Sequence, residues 1–204
     1  PHPPPPEPPR FLAPWPTEGG KYDLTQFNPE YFIRLKDFIS EAEKQGIVVE
    51  VTLFTSIYAE GQWALCPFNA ANNINGVGGI DFRRVNTLYN EGLKEIQELY
   101  IRKMVKELND FDNIFFEIQN EPWADNGCLA AFANENDDRV FRRTWQKRVE
   151  TGNGLTMAWQ KWVANIILDE EAELPKKHLI AQNISNFEYK LDALPQGVSI
   201  INFH

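Results

Sequence analysis

An α/β fold built on parallel strands is what the sequence predicts, from three observations. Short β-branched or aromatic segments alternate with segments of helical period, in the order strand, helix, strand, helix, strand. The strands are apolar on one parity: Val49, Val51 and Leu53, then Ile114, Phe116 and Ile118, then Ile201 and Phe203. The opposite parity carries Glu50 and Thr52, Glu117, Gln119 and Glu121, Asn202 and His204, and becomes polar toward the carboxyl ends. A sheet covered by helices on both sides would be apolar on both faces. A lumen opening into a polar mouth gives the observed pattern, so the expectation is part of a (β/α)8 barrel, with four convincing strands of the eight such a barrel needs.

The elements follow in order. "PHPPPPEPPRFLAPWP" is too rich in proline for helix or central strand, so residues 1–22 are expected to be an extended loop or linker, and residues 23–204 an incomplete barrel domain. In "NPEYFIRLKDFISEAEKQG", Asn28 caps a helix, Pro29 takes its first position and Gly46 stops it. Phe32, Leu35, Phe38, Ile39 and Ala42 form its apolar stripe. A strand at 47–54 follows, then a polar loop from 55 to about 86, long enough to suggest a use. The second helix is expected from about Thr87 to Leu108, the next strand at 113–119, and after a polar insertion a third helix at about 154–170. Trp159, Val163, Ile166 and Ile167 align on that helix. Strands at 178–185 and 198–204 complete the set.

Composition excludes several classes. The 204 residues carry a formal charge of -9, against binding to nucleic acid or an anionic membrane, and no apolar run is long enough to cross a bilayer. Cys66 and Cys128 make neither a disulfide framework nor a zinc site; one bridge or two free thiols both fit. No Gly-rich phosphate loop follows a strand, there is no Gly-x-Ser-x-Gly elbow, and His2, His178 and His204 supply one plausible metal position, so no cofactor and no metal is expected.

The segment "NIFFEIQNEPW" carries the chemistry. Glu121 falls just past the end of its strand, and Pro122 is expected to hold it extended. Asn120 offers a donor and an acceptor, and Trp123 a flat apolar face of the kind sugar rings stack upon. An acid, an amide and an aromatic platform are parts a glycosidase needs. A plain Asn-Glu-Pro turn with a solvated acid is the competing reading. In "QWALCPFNAANNING", Trp63, Asn72, Asn73 and Asn75 are either cleft-lining groups or parts of a surface loop with Asn-Gly turn chemistry. Trp159 and Trp162 read as core or helix surface. Glu50 and Glu117 lie mid-strand, and cross-barrel hydrogen bonds to Gln182 or Asn183 are expected for them.

"FFEIQNEPW" resembles the fourth-strand motif of clan A glycoside hydrolases, the retaining barrel enzymes that include family 5 cellulases and mannanases. "KYDLTQFNPEYFIRLKDFISEAEKQGIVVEVTLF" is similar to that clan's second helix and third strand, and "VSIINFH" to its sixth strand. The resemblance implies Glu121 as general acid/base, Asn120 as ligand of the sugar 2-hydroxyl and His204 as a subsite contact. It makes Trp15 part of a loop near the mouth, and it implies a β-linked oligo- or polysaccharide substrate and a secreted or periplasmic setting. The resemblance implies that the first strand or strands and strands 7 and 8 are missing; the clan's nucleophile, a Glu at the end of strand 7, has no counterpart here, so this polypeptide alone is expected to be inactive. The alternative is a non-catalytic carbohydrate-binding barrel. Sugar, linkage and endo or exo mode are not legible.

Overall fold

The computed structural model describes residues 11–122, 138–184 and 195–203, with backbone alone over 138–154 and at 203. The chain starts with a small antiparallel hairpin, β1 (Thr17–Glu18) and β2 (Lys21–Tyr22). Gly19 and Gly20 both take positive φ there, as a two-residue turn of this hand requires. Helix α1 (Pro29–Lys44) begins as its sequence dictates, with Asn28 Oδ1 accepting the Glu30 amide at 3.1 Å and Pro29 at the first position. Gly46, at φ 69°, turns the chain away just beyond it. Phe32, Ile39 and Ala42 are buried, whereas Phe38 is 60% exposed and leaves the expected stripe. It faces a surface groove with Phe11, Leu12, Tyr31 and Leu35.

Strand β3 (Val49–Thr55) leads into a short helix α2 (Glu60–Trp63) and a 3-10 turn at Phe82–Arg84. Helix α3 (Leu93–Leu108) starts six residues later than its periodicity suggests. Gly92, at φ 89°, sets the true start, and the buried Asn90 amide donates to the Val85 carbonyl at 3.0 Å and to Gln97 Oε1 at 2.8 Å. The buried side of α3 carries the seven apolar residues from Leu93 to Leu108 that the helical period selects, with Gln97 among them. After strand β4 (Ile114–Asn120), helix α4 (Asp138–Ala172) begins well before the expected 154, within what reads as a polar insertion. Strands β5 (Ile180–Ile184) and β6 (Val198–Phe203) follow.

The main sheet is wholly parallel, in the order β3-β4-β5-β6. Each strand pairs with the next in sequence, as in a singly wound α/β sheet and unlike the reversing order of a doubly wound one. Phe116 and Ile118 of β4 are fully buried, and the core extends through Ile101, Met104, Trp159 and Ile167 on the helices. Each such apolar side chain contributes roughly 1.5–3 kcal/mol on burial. Trp159 packs edge-on against Phe54 at 5.1 Å, and its Nε1 donates to Gln97 Oε1 at 3.0 Å, so the one polar atom of that indole is satisfied inside the core. Gln97 is in turn fixed by donating to the Val85 carbonyl.

Candidate functional site

The carboxyl end of β4 carries Asn120 and Glu121, and the segment after β3 runs beside them. Ser56 N donates to the Asn120 carbonyl at 3.2 Å, and Ser56 Oγ donates to the Glu121 carbonyl at 2.5 Å. Gln119 Nε2 holds that hydroxyl from behind at 3.0 Å. Two residues further on, Tyr58 Oη donates to Glu121 Oε2 at 2.5 Å, while Asn120 Nδ2 approaches the same Oη at 3.4 Å.

Glu121 has φ 50°, in the left-handed region, so the expectation that Pro122 keeps it extended is overturned. The cause lies in the surroundings. Ser56 fixes the peptide on either side of the residue's Cα and Tyr58 fixes its side chain, and together they outweigh the local preference. Such a backbone costs roughly 1–2 kcal/mol in a non-glycine residue. Strain of this kind persists where neighbours over-determine it, and it concentrates at functional sites.

Electrostatics match the geometry. Burial, then the hydrogen bond to Glu121, pushes the Tyr58 phenol up to about 12, so it stays a neutral donor across the physiological range. Glu121 itself is half-buried, with its carboxylate oriented by one phenol and set beside a primary amide. The arrangement can exchange a proton with a hydroxylated ligand resting on the strand ends.

Below the rim, the concave face of the sheet is polar. Thr52 Oγ1 donates to Glu117 Oε2 at 2.7 Å, and Asn202 Nδ2 donates to Glu117 Oε1 at 2.8 Å and Glu50 Oε1 at 2.7 Å. The expected partners of these two acids were Gln182 or Asn183, and the structure corrects this. Gln182 points at α4, where its Nε2 meets Met157 Sδ at 3.1 Å, and the buried Asn183 side-chain amide has no partner among the described residues. Glu117 precedes Glu121 by four residues, which places it about 13 Å down the strand.

The other expected site residues divide. Trp63 is buried in the core. Asn72 Nδ2 donates to the carbonyls of Ala64 and Cys66, both at 2.9 Å, and Asn73 Nδ2 is shared among those of Pro67, Asn69 and Val77. Asn75 Oδ1 accepts from the Leu24 amide at 2.8 Å. Asn72 and Asn73 thus fold the 55–86 loop back on itself, and Asn75 ties it to the segment just after the N-terminal hairpin. Gly78, at φ 82°, is required in that loop, since a Cβ there would lie 1.7 Å from the Phe68 carbonyl oxygen. Trp15 is buried against Phe68 and Tyr100. Cys66 is a free thiol. Trp123, His204 and Cys128 lie outside the described residues. Among the described residues, no three His, Cys, Asp or Glu side chains converge as a metal would need.

Sequence reasoning missed Ser56 and Tyr58. Both lie just past the end of β3, and the rule that barrel-type sites draw on several strand ends was the signal that could have found them.

Fold and site together define an α/β protein with a singly wound parallel sheet and, at the end of one strand, a glutamate in a left-handed backbone. The chain belongs to the DUF6298 family, a domain of unknown function, whose family model matches residues 17–193. Comparison with curated proteins and with solved structures gave no match.

Proposed function

We propose that these residues form part of a (β/α)8 glycoside hydrolase that cleaves β-linked glycans by double displacement, with Glu121 as general acid and then general base. The observation that carries this reading is the placement of Glu121. It follows the last residue of a parallel strand, beside Asn120, in a left-handed backbone held by Ser56 and Tyr58. The sequential order of the strands and the polar concave face support a barrel. In this mechanism Glu121 protonates the departing glycosidic oxygen and later takes a proton from the attacking water, while Asn120 binds a hydroxyl of the reacting sugar. Asn120 is suited to that exchange because its 3.4 Å contact to Tyr58 is long and easily traded for a ligand. Trp123, for its flat apolar face next to Glu121, and His204, for the resemblance to the clan's sixth strand, are proposed as sugar contacts.

A retaining reaction needs a second carboxylate about 5–5.5 Å from the first. Among the described ends of the four parallel strands only that of β4 bears an acid, and Glu50 and Glu117 are too deep to reach a polymer. The resemblance to the clan puts the nucleophile at the end of a further strand, the seventh. The test is hydrolysis of β-glycans by the longest natural polypeptide containing these residues. Glu121→Gln should lower turnover of poor leaving groups by on the order of 10²–10⁴-fold, and activated aryl glycosides far less. Equal loss on both would remove the acid role, and saturable glycan binding without turnover would select a non-catalytic binding barrel.

A further inference from the structure

One hydroxyl of the chain already sits where a ligand's hydroxyl would have to. Tyr58 Oη lies 2.5 Å from Glu121 Oε2 and 3.4 Å from Asn120 Nδ2, so it stands between the acid and the amide at the end of β4. A ligand hydroxyl bonded to both groups would need the same point, and two oxygens cannot share it. The phenol stays un-ionised up to about 12. Its exchange for a ligand therefore replaces one neutral hydroxyl by another and moves no charge.

The surroundings hold the backbone of this segment and let the ring swing. Tyr58 N donates to Gln62 Oε1 at 2.7 Å on α2. Two residues earlier, Ser56 is pinned to Asn120 and Glu121 through its N and its Oγ. Tyr58 is nonetheless 36% exposed, and exposed side chains change rotamer within picoseconds to nanoseconds. Its bond to Glu121 is short and charge-assisted, the stronger kind, whereas its contact with Asn120 is long. The phenol also bonds the Thr55 side chain. A ligand that displaces it must break these bonds, and new ones to the Glu121 carboxylate and the Asn120 amide offset them.

We propose that Tyr58 gates the Asn120–Glu121 pair: its phenol caps the acid in the ligand-free chain, and a sugar hydroxyl binds by pushing it aside. The inference rests on the reading of Asn120 and Glu121 as the sugar-contacting pair, and it does not require that the sugar be cleaved. It makes the phenol a competitor of the ligand. A residue that only oriented Glu121 would help the ligand instead, so the two roles give binding changes of opposite sign.

The experiment is a calorimetric titration with cellohexaose and mannohexaose of the native chain, Tyr58→Phe, Glu121→Ala and the double variant. Tyr58→Phe keeps the ring and loses the competing hydroxyl, so it should bind the preferred sugar roughly tenfold more tightly than the native chain, as one hydrogen bond to a charged group implies. In a Glu121→Ala background that gain should disappear, because the phenol then has no carboxylate to cap. A second readout covers the case in which Tyr58→Phe does not fold. In native protein labelled with ¹³C at the phenolic carbons of its 6 tyrosines, saturating sugar should move one resonance toward that of a solvent-exposed tyrosine. Equal or weaker binding by Tyr58→Phe, or no such movement, overturns the gate; where binding still depends on Glu121, the reading of the site survives. Binding indifferent to Glu121→Ala, or absent from all four proteins, overturns that reading and the gate with it.

Discussion

Asn202, on the last strand of the main sheet, donates from Nδ2 to Glu50 Oε1 on the first strand at 2.7 Å. Neighbouring strands lie about 4.8 Å apart, so three steps across a flat sheet would separate these backbones by roughly 14 Å. Side chains on a flat sheet also stand parallel and do not converge. The bond therefore measures curvature: the four strands curl so that their polar parities point at one another. Glu50, Thr52, Glu117 and Asn202 meet in the hollow, and the rim above it carries Asn120 and Glu121.

That amide sits between two carboxylates and donates to both. Asn202→Asp would replace their shared donor with a third acid, in a place where Glu117 is 4% exposed. We expect a loss of about 3 kcal/mol at neutral pH. Asn202→Leu should cost less, because it removes the donor without adding charge. The Asp variant should recover as pH falls, since a protonated carboxyl can donate as the amide does. Denaturant titration of both variants at two pH values checks the order; equal costs would mean that the amide does not bridge the acids.

The left-handed backbone of Glu121 is testable without any substrate. Glu121→Ala and Glu121→Gly both remove the carboxylate and its bond to Tyr58, so their difference isolates the backbone. Relief of strain favours glycine by about 1–2 kcal/mol, and its extra freedom in the unfolded chain takes back roughly 0.4–1. The glycine variant should therefore be more stable by about 1 kcal/mol, or about 2–4 °C in Tm for a chain of this size. An alanine variant of equal or greater stability would show that the positive φ is not imposed by the fold.

Tyr58 reports on the same carboxylate. Its phenol is raised first by burial and second by Glu121. In Glu121→Gln the second cause goes and the first remains, so the phenol should ionise at lower pH than about 12 while staying above its ordinary 10. Ultraviolet titration of the variant against a Tyr58→Phe background identifies the transition. No downward movement would mean that the phenol does not donate to Glu121.

Much of this architecture was legible because it is local. The cap at Asn28, the stop at Gly46, the buried side of α3 and the strand parities each depend on a few adjacent residues. What was illegible depends on contacts between distant ones. Tyr58 and Glu121 are 63 positions apart, and nothing in either neighbourhood announces the bond. Pro122 shows the limit of local rules: its preference for an extended predecessor is real, and Ser56 overrides it from another strand end. The 55–86 loop was ambiguous for another reason. Asn72, Asn73 and Asn75 have a side chain equally fit to bind a sugar hydroxyl or a backbone carbonyl, and only the fold of the loop decides which it meets.

At the opposite end of the sheet, His178 ties three elements together. Its Nε2 donates to the Phe111 carbonyl at 2.7 Å, and Nδ1 lies 2.5 Å from Glu171 Oε1 near the end of α4. Because Nε2 must carry a proton, the contact with Glu171 needs a second proton between the two side chains. Burial disfavours that charge, but the bonds to Glu171 and Phe111 outweigh it, and the imidazole is raised above its ordinary 6.5. A group protonated more readily when folded stabilises the fold in full below its unfolded value, and that contribution disappears as pH rises through the folded one. Stability should therefore fall on going from about pH 6 into the alkaline range. Glu171→Gln removes the charge that favours the second proton and should flatten this slope. His178→Phe should cost about 3 kcal/mol at low pH, because it strands a buried acid. Denaturant midpoints measured across the range decide it, and a native slope identical to that of Glu171→Gln would show that the pair holds no extra proton.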